Sequence, residues 1–273
     1  MSILTINHLH LIDDKSNTTI VKDVSFSVLE HSCLGIVGES GSGKTMTAKE
    51  ILGVNPPWIQ AKGEIIFENQ NVLTMNHKDR GAIRGKKISM ILQDAMTAFN
   101  PIEKIGKQMR QTFMQLLHLS RKEAKKRCLD GLEKMNFSDP YSVYEKYPHE
   151  LSGGMLQRCM IAIALMLEPQ IIIADEPTTA LDSINQLEVV KQFQRLRELT
   201  GTTLILISHD LGVVQRLAEH IVVMKDGELI ESGDATSVFH VPKHPYTQYL
   251  VNTRMQLSDS YIHSLRDGVN AAI

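Results

Sequence analysis

GESGSGKT, residues 38–45, is the stretch on which the fold is decided. It fits G-x-x-x-x-G-K-[ST], the pattern of a phosphate-binding loop. The apolar run CLGIV (Cys33–Val37) leads into it and reads as a short buried strand. Behind it Met46, Ile51 and Leu52 keep helical spacing until Gly53, with Pro56 and Pro57 beyond. Strand, glycine loop and helix together are the context such a loop requires. Gly38, Glu39, Ser40, Gly41, Ser42 and Gly43 would close their backbone N–H groups around phosphates, aided by the positive end of the helix. Lys44 would reach the terminal phosphates, and Thr45 would bind Mg²⁺.

Working outward, strand patterns recur at Asp23–Leu29, Glu64–Phe67, Ile88–Leu92, Gln170–Ala174, Thr202–Ile207, Ile221–Met224 and Glu228–Ile230. Helical stretches at Leu181–Leu199 and Leu211–Ala218 separate the later ones, which predicts an α/β fold with a parallel sheet. From Ile102 to Tyr147 helical periodicity replaces strand signals, so this segment reads as a helical insertion. Its basic run, Arg121–Arg127, fits a solvated helix face better than a nucleic-acid patch. No pattern is visible after about Met255.

IIIADEP (Ile171–Pro177) is a buried strand ending in two acids. Asp175 suits a Mg²⁺-assisting role, and Glu176 would orient or deprotonate a water aimed at the γ-phosphate. Gln93, after ISMIL, could touch Mg²⁺ or that water. His209, in ISHD, could hydrogen-bond the γ-phosphate. TTALD (Thr178–Asp182) is by default a turn with Asp182 as a helix cap.

A second glycine loop follows at ELSGGMLQR, residues 150–158. Ser152, Gly153 and Gly154 precede a strongly apolar helix, so Ser152 reads as its N-cap and Met155 as its third residue. The loop lacks a lysine and would hold phosphate only weakly, from one side. Two chains facing each other would each bury a nucleotide between Gly38–Thr45 of one and Ser152–Met155 of the other.

Composition narrows the classes. The chain of 273 residues is 42% hydrophobic with a formal net charge of −2, so no global field recruits nucleic acid. The start lacks the basic and apolar regions of a secretory signal. The run MIAIALML (Met160–Leu167) is far shorter than the roughly 20 residues a spanning helix needs. Cys33, Cys128 and Cys159 are scattered, which argues against disulfides or structural zinc.

GESGSGKT, Gln93, LSGGMLQR, IIIADEP, TTALD and ISHD, in this order, resemble the ATP-binding subunits of ABC transporters. QDAMTAFNP (Gln93–Pro101), YPHELSGG (Tyr147–Gly154) and HPYTQYL (His244–Leu250) narrow the likeness to the oligopeptide/dipeptide/nickel uptake branch. LSGGMLQR, with Met155 where most of the superfamily has glutamine, is most similar to nickel-import subunits.

The resemblance implies a P-loop NTPase fold: a RecA-like parallel sheet core, an N-terminal antiparallel β region and an inserted ABC-type α-helical subdomain. It places the nucleotide-binding core at 1–96 and 159–255, the helical subdomain with its signature loop at 97–158, and a tail at 256–273. It implies ATP hydrolysis with Mg²⁺ held by Thr45, Gln93 and Asp175, catalysis by Glu176, His209 and Gln93, and a D-loop at Asp182. The expected partners are a second, non-identical ATPase subunit, two transmembrane permeases and an extracellular solute-binding protein, with no nucleic acid. The expected place is the cytoplasmic face of the cell membrane. The cargo would be nickel or a metal–chelator complex, with peptides as the alternative. A soluble ABC ATPase unconnected with transport is a remote one.

Two departures from the family stand out. Relatives that carry a cysteine-rich tail hold an iron–sulfur cluster; here no such cysteines occur, so no cluster is expected. An aromatic residue usually stacks on adenine from the region before DVSF, but residues 1–25 hold none, leaving Leu11, Ile12 or Ile20 for apolar contact.

Overall fold

The computed structural model describes residues 1–178 and 183–253. Its elements in chain order begin with β1 (Ser2–Asp13), β2 (Thr18–Leu29), β3 (Cys33–Val37), α1 (Lys44–Leu52), β4 (Ile59–Phe67) and β5 (Gln70–Asn71). Then come α2 (His77–Ile83), β6 (Ile88–Ile91), α3 (Ala95–Ala98), α4 (Ile105–Leu117), α5 (Arg121–Lys134), α6 (Pro140–Glu145) and α7 (Gly153–Leu167). The chain continues through β7 (Ile171–Asp175), α8 (Ser183–Thr200), β8 (Thr203–Ile207), α9 (Leu211–Leu217), β9 (His220–Lys225), β10 (Glu228–Asp234) and α10 (Ala235–His240), and residues 245–253 are again helical. It divides into two compact units: residues 1–50, 55–73 and 206 onward, and residues 51–54 and 74–205.

In the first unit an antiparallel sheet runs β2-β1-β4-β5. β1 buries Leu4, Ile6, Leu9 and Leu11. The step from Ile6 to Leu9 breaks strict alternation. A bulge absorbs it: His8 (φ 49) in β1 and Asp23 (φ 52) in β2 both take left-handed backbone, and the pairing slips between Ile6↔Phe26 and Leu9↔Val24. Without that extra residue Leu9 and Leu11 would turn to the other face. Gly63 of β4 (φ 104) meets the bulge, and a Cβ there would lie 2.3 Å from the His8 carbonyl oxygen. In the same unit β9 pairs antiparallel with β10 and parallel with β3, in register Val37↔Val223. The end of β8 reaches β3 as well, with the Ser208 N–H donating to the Ile36 carbonyl at 3.3 Å.

In the second unit β6 and β7 run parallel in register Ile91↔Ala174, and the start of β8 donates from Thr203 N–H to the Gln170 carbonyl at 3.0 Å. The segment read as a helical insertion is helical, as α4, α5 and α6. On α5 Ala124, Cys128 and Leu132 are buried while Arg121, Lys122 and Lys126 face solvent, as a solvated basic face requires. α5 begins in a reciprocal capping box between Ser120 and Glu123, which holds the Glu123 carboxyl below its usual range. Arg158 of α7 donates to the Met135 carbonyl and lies 4.1 Å from the Phe137 ring centroid, tying α7 to the end of α5.

The α/β reading therefore holds, with a parallel core, an antiparallel N-terminal region and helices between β6 and β7. Two differences have local causes. α2 went unread because HKDRGAI buries only Ile83 and shows no apolar period; its start is set by Asn76, whose side chain accepts the Asp79 N–H. β10 extends to Asp234, beyond the expected Ile230, because its polar half pairs with β9 down to His220.

Candidate functional site

The glycine loop leaves β3 at Val37 and enters α1 at Lys44. Sterics explain its glycines. At Gly38 (φ 153) a Cβ would sit 2.1 Å from the Met224 carbonyl oxygen, and at Gly43 (φ 96) it would sit 2.9 Å from Val21 Cγ2. Only glycine lets the loop turn this tightly between β2 and β9. Glu39, Ser40 and Gly41 are exposed, while Ser42, Gly43 and Lys44 are buried.

Lys44, 6% exposed, folds back into the loop. Its Nζ donates to the Glu39 carbonyl at 2.7 Å, the Gly38 carbonyl at 3.0 Å and Ser42 Oγ at 3.3 Å. A buried ammonium needs such acceptors, and phosphate oxygens could replace them with full negative charge. The Glu39 carbonyl also accepts the Ser42 N–H at 3.2 Å. From outside the loop, the Glu39 N–H donates to Tyr246 Oη at 3.1 Å. HPYTQYL stands out in the sequence as a motif, but its residues carry no signal of this contact with the loop.

His209 belongs to the same unit. It follows the carboxyl end of β8, exposed beside the buried Ser208. Ser208 Oγ accepts the Asp210 N–H at 3.0 Å, and Asp210 caps α9 through the N–H groups of Gly212 and Val213. These bonds fix the turn on which His209 stands. The structure thus brings Gly38–Thr45 and His209 to the carboxyl ends of neighbouring strands.

The second unit gathers another group. Ile91 lies level with Ala174, and Gln93 and Glu176 each come two residues after that pair on adjacent parallel strands. Asp175 is 4% exposed at the end of β7, whereas Gln93 is exposed and Glu176 half-buried. Glu176 takes left-handed backbone (φ 50), a conformation costing a non-glycine residue on the order of 1–2 kcal/mol. Such strain at the end of a strand commonly accompanies function. Asp182 lies outside the described residues.

Ser152 caps α7: its Oγ accepts the Met155 N–H at 3.3 Å and its carbonyl the Leu156 N–H at 3.0 Å. Met155 is the third helical residue, as expected, and closes no capping box. Ser152 and Gly153 are exposed, and a Cβ on Gly153 would meet no atom within 4 Å. Packing inside the chain therefore does not require glycine there. Of the residues expected to meet adenine, Leu11 is fully buried opposite Val21 and has no surface to offer. Ile12 and Ile20 are half-buried.

Among the described residues no group of three or more His, Cys, Asp or Glu side chains could hold a metal ion by itself, and no helix is long and apolar enough to cross a membrane.

The family described as ABC transporter matches residues 21–179, from the Val21 beside Gly43 to just past the end of β7. The chain is 42% identical over 99% of its length to the whole metal-staphylopine import system ATP-binding protein CntD of Staphylococcus aureus (strain Mu50). It is 40% identical over 92% of its length to the dipeptide transport ATP-binding protein DppD of Bacillus subtilis (strain 168), covering 76% of that protein. Among solved structures, the ATP-binding cassette MJ0796, as a post-hydrolysis dimer bound to ADP and Pi, superposes with a TM-score of 0.75 at 27% identity, over 85% of this chain and 98% of that one. The phosphate loop, the acid-ended strand and these matches over most of the chain lead to one conclusion: the chain belongs to the ABC transporter family, as an ATP-binding subunit that hydrolyses ATP.

Proposed function

We propose that this subunit powers a bacterial importer for nickel or a metal–chelator complex. The observation that carries the reading is the end-to-end likeness to the metal-staphylopine import ATPase, 42% identical over 99% of this chain and all of that one. A peptide importer is the second reading, favoured by the 40% identity to DppD.

Gly38–Thr45 suits a triphosphate: a glycine cradle, a buried ammonium, hydroxyls and the start of a nine-residue helix point to one place. In this reading Lys44 exchanges the carbonyls of Gly38 and Glu39 for the terminal phosphates. Thr45, Asp175 and Gln93 hold Mg²⁺, which when bound neutralises charge on the phosphates. Glu176 takes a proton from the attacking water and Gln93 orients it. His209 donates to the γ-phosphate, and Asp182 couples the two sites. Ser152, Gly153, Gly154 and Met155 cover the nucleotide of a second ATPase subunit, which the bareness of Gly153 supports. The segment 97–158 serves as the helical subdomain between two stretches of core, 1–96 and 159–255. Two such subunits, non-identical in this branch, close on ATP beneath two permeases at the cytoplasmic face, with a solute-binding protein delivering cargo outside.

The test has two arms. The chain is purified gently from native membranes and its companions identified by mass spectrometry; two permeases and a second ATPase are expected. Uptake of radioactive nickel with and without a chelator, and of a labelled dipeptide, is then compared in cells carrying the wild-type chain or Glu176→Gln. Loss of chelated-metal uptake alone supports the metal reading, and loss of dipeptide uptake alone supports the other. A soluble chain accompanied by nucleic acid would end both.

A further inference from the structure

One contact to the phosphate loop comes from far along the chain. The loop's second residue, Glu39, is held on both sides: its carbonyl accepts Lys44 Nζ and the Ser42 N–H, and its N–H donates to Tyr246 Oη at 3.1 Å. Tyr246 is 7% exposed, and Lys225 Nζ stands 4.9 Å from its ring centroid, so the ring has little freedom. Its own segment is anchored in turn. The two carboxylate oxygens of Glu231 accept the N–H groups of Lys243 and His244, each at 2.9 Å, and the Tyr246 N–H donates to His244 Nδ1 at 3.1 Å. Burial works against the charge on Glu231, but those N–H groups outweigh it and hold its carboxyl below the usual range.

We propose that Tyr246 is a positioning residue for ATP: anchored through Glu231, its hydroxyl fixes the Glu39 peptide and so sets the loop in the shape that receives the phosphates. The inference rests on the reading that Gly38–Thr45 binds ATP. The physical ground is preorganisation. Glu39, Ser40 and Gly41 are exposed, so without an outside tether this part of the loop would sample other shapes and lose entropy on each binding event. Glu39 offers its carbonyl to Lys44, so a shift of that peptide also moves the acceptor that Lys44 gives up when phosphate arrives.

The experiment measures ATP affinity of the full chain with a fluorescent analogue, alongside the thermal midpoint without nucleotide. Tyr246→Phe keeps the ring and its contact with Lys225 and removes only the hydroxyl. Roughly fivefold weaker ATP binding is expected, the scale of one lost hydrogen bond, with KM for ATP raised, kcat kept and the nucleotide-free midpoint shifted by no more than about 2 °C. Glu231→Ala should weaken ATP in the same direction, and the double variant should be no weaker than the stronger single one, because both act through one tether. Tyr249→Phe, in the same helix and 60% exposed, should bind as wild type. Unchanged affinity in Tyr246→Phe, or additive losses in the double variant, overturns the proposal. Lys44→Ala separates the two failures. If it still binds ATP, the reading of the loop is wrong; if it does not and Tyr246→Phe binds normally, only the positioning role is wrong.

Discussion

At Gly38 the backbone passes so close to β9 that a single methyl group decides whether the loop can form. Gly38→Ala would place Cβ 2.1 Å from the Met224 carbonyl oxygen, and backbone, unlike a long side chain, cannot swing aside. ATP affinity should fall at least tenfold, while circular dichroism shows the fold retained; normal titration by the variant would show that the loop tolerates displacement. Glu176 is the complementary case, in which polar chemistry and not space is at stake. Glu176→Gln keeps the size and the left-handed backbone and removes the carboxylate proposed as the base. ATP should still bind, with hydrolysis cut at least 10²-fold, the usual scale of general-base catalysis. Undiminished phosphate release would reassign the base. Motif and strand context single out both positions in the sequence. Leu11, offered for apolar contact only because no aromatic residue precedes it, is fully buried, since the bulge at His8 turns it to the covered face.

The bulge shows what single elements add. His8, Asp23 and Gly63 lie in line across three strands, and the His8–Asp23 contact at 2.6 Å ties two of them. Gly63→Val should cost about 2–4 kcal/mol, from a Cβ 2.3 Å from a carbonyl oxygen and a left-handed φ that β-branched side chains resist. Urea denaturation measures it, and a loss below about 1 kcal/mol would mean that the strands shift freely. β1 and β2 each keep a buried stripe across the slip, which no strict period of two describes. Helices were easier to read where they carry an apolar stripe, as in α4, than where a cap alone defines them, as in α2. The cap at Ser152 was legible because a polar residue stands directly before an apolar run.

At the scale of the whole molecule, the three cysteines test the core. Cys33, Cys128 and Cys159 are all buried, and burial pushes the thiols of Cys128 and Cys159 up to about 12. None should react with an aromatic disulfide reagent at pH 8 in the folded chain, and all should react in guanidinium. Rapid modification of any thiol before unfolding would mean that its unit opens locally. Long-range contacts were the least legible part. HPYTQYL is visible as a motif, but nothing in its residues says that Tyr246 meets Glu39, because that meeting depends on how the β9–β10 pair returns the chain to the loop.

The first unit is built from both ends of the chain, whereas the second is almost one continuous stretch, residues 74–205. During synthesis the second can therefore form while the phosphate loop still waits for its support. β9, which packs behind Gly38, and Tyr246, which grips Glu39, leave the ribosome some two hundred residues after the loop itself, or about 10–40 s later at ordinary elongation rates. A nascent chain arrested before residue 220 should be retained poorly on immobilised ATP, and one released after residue 253 should be held. On this ordering the loop gains its full support only once the chain is nearly complete.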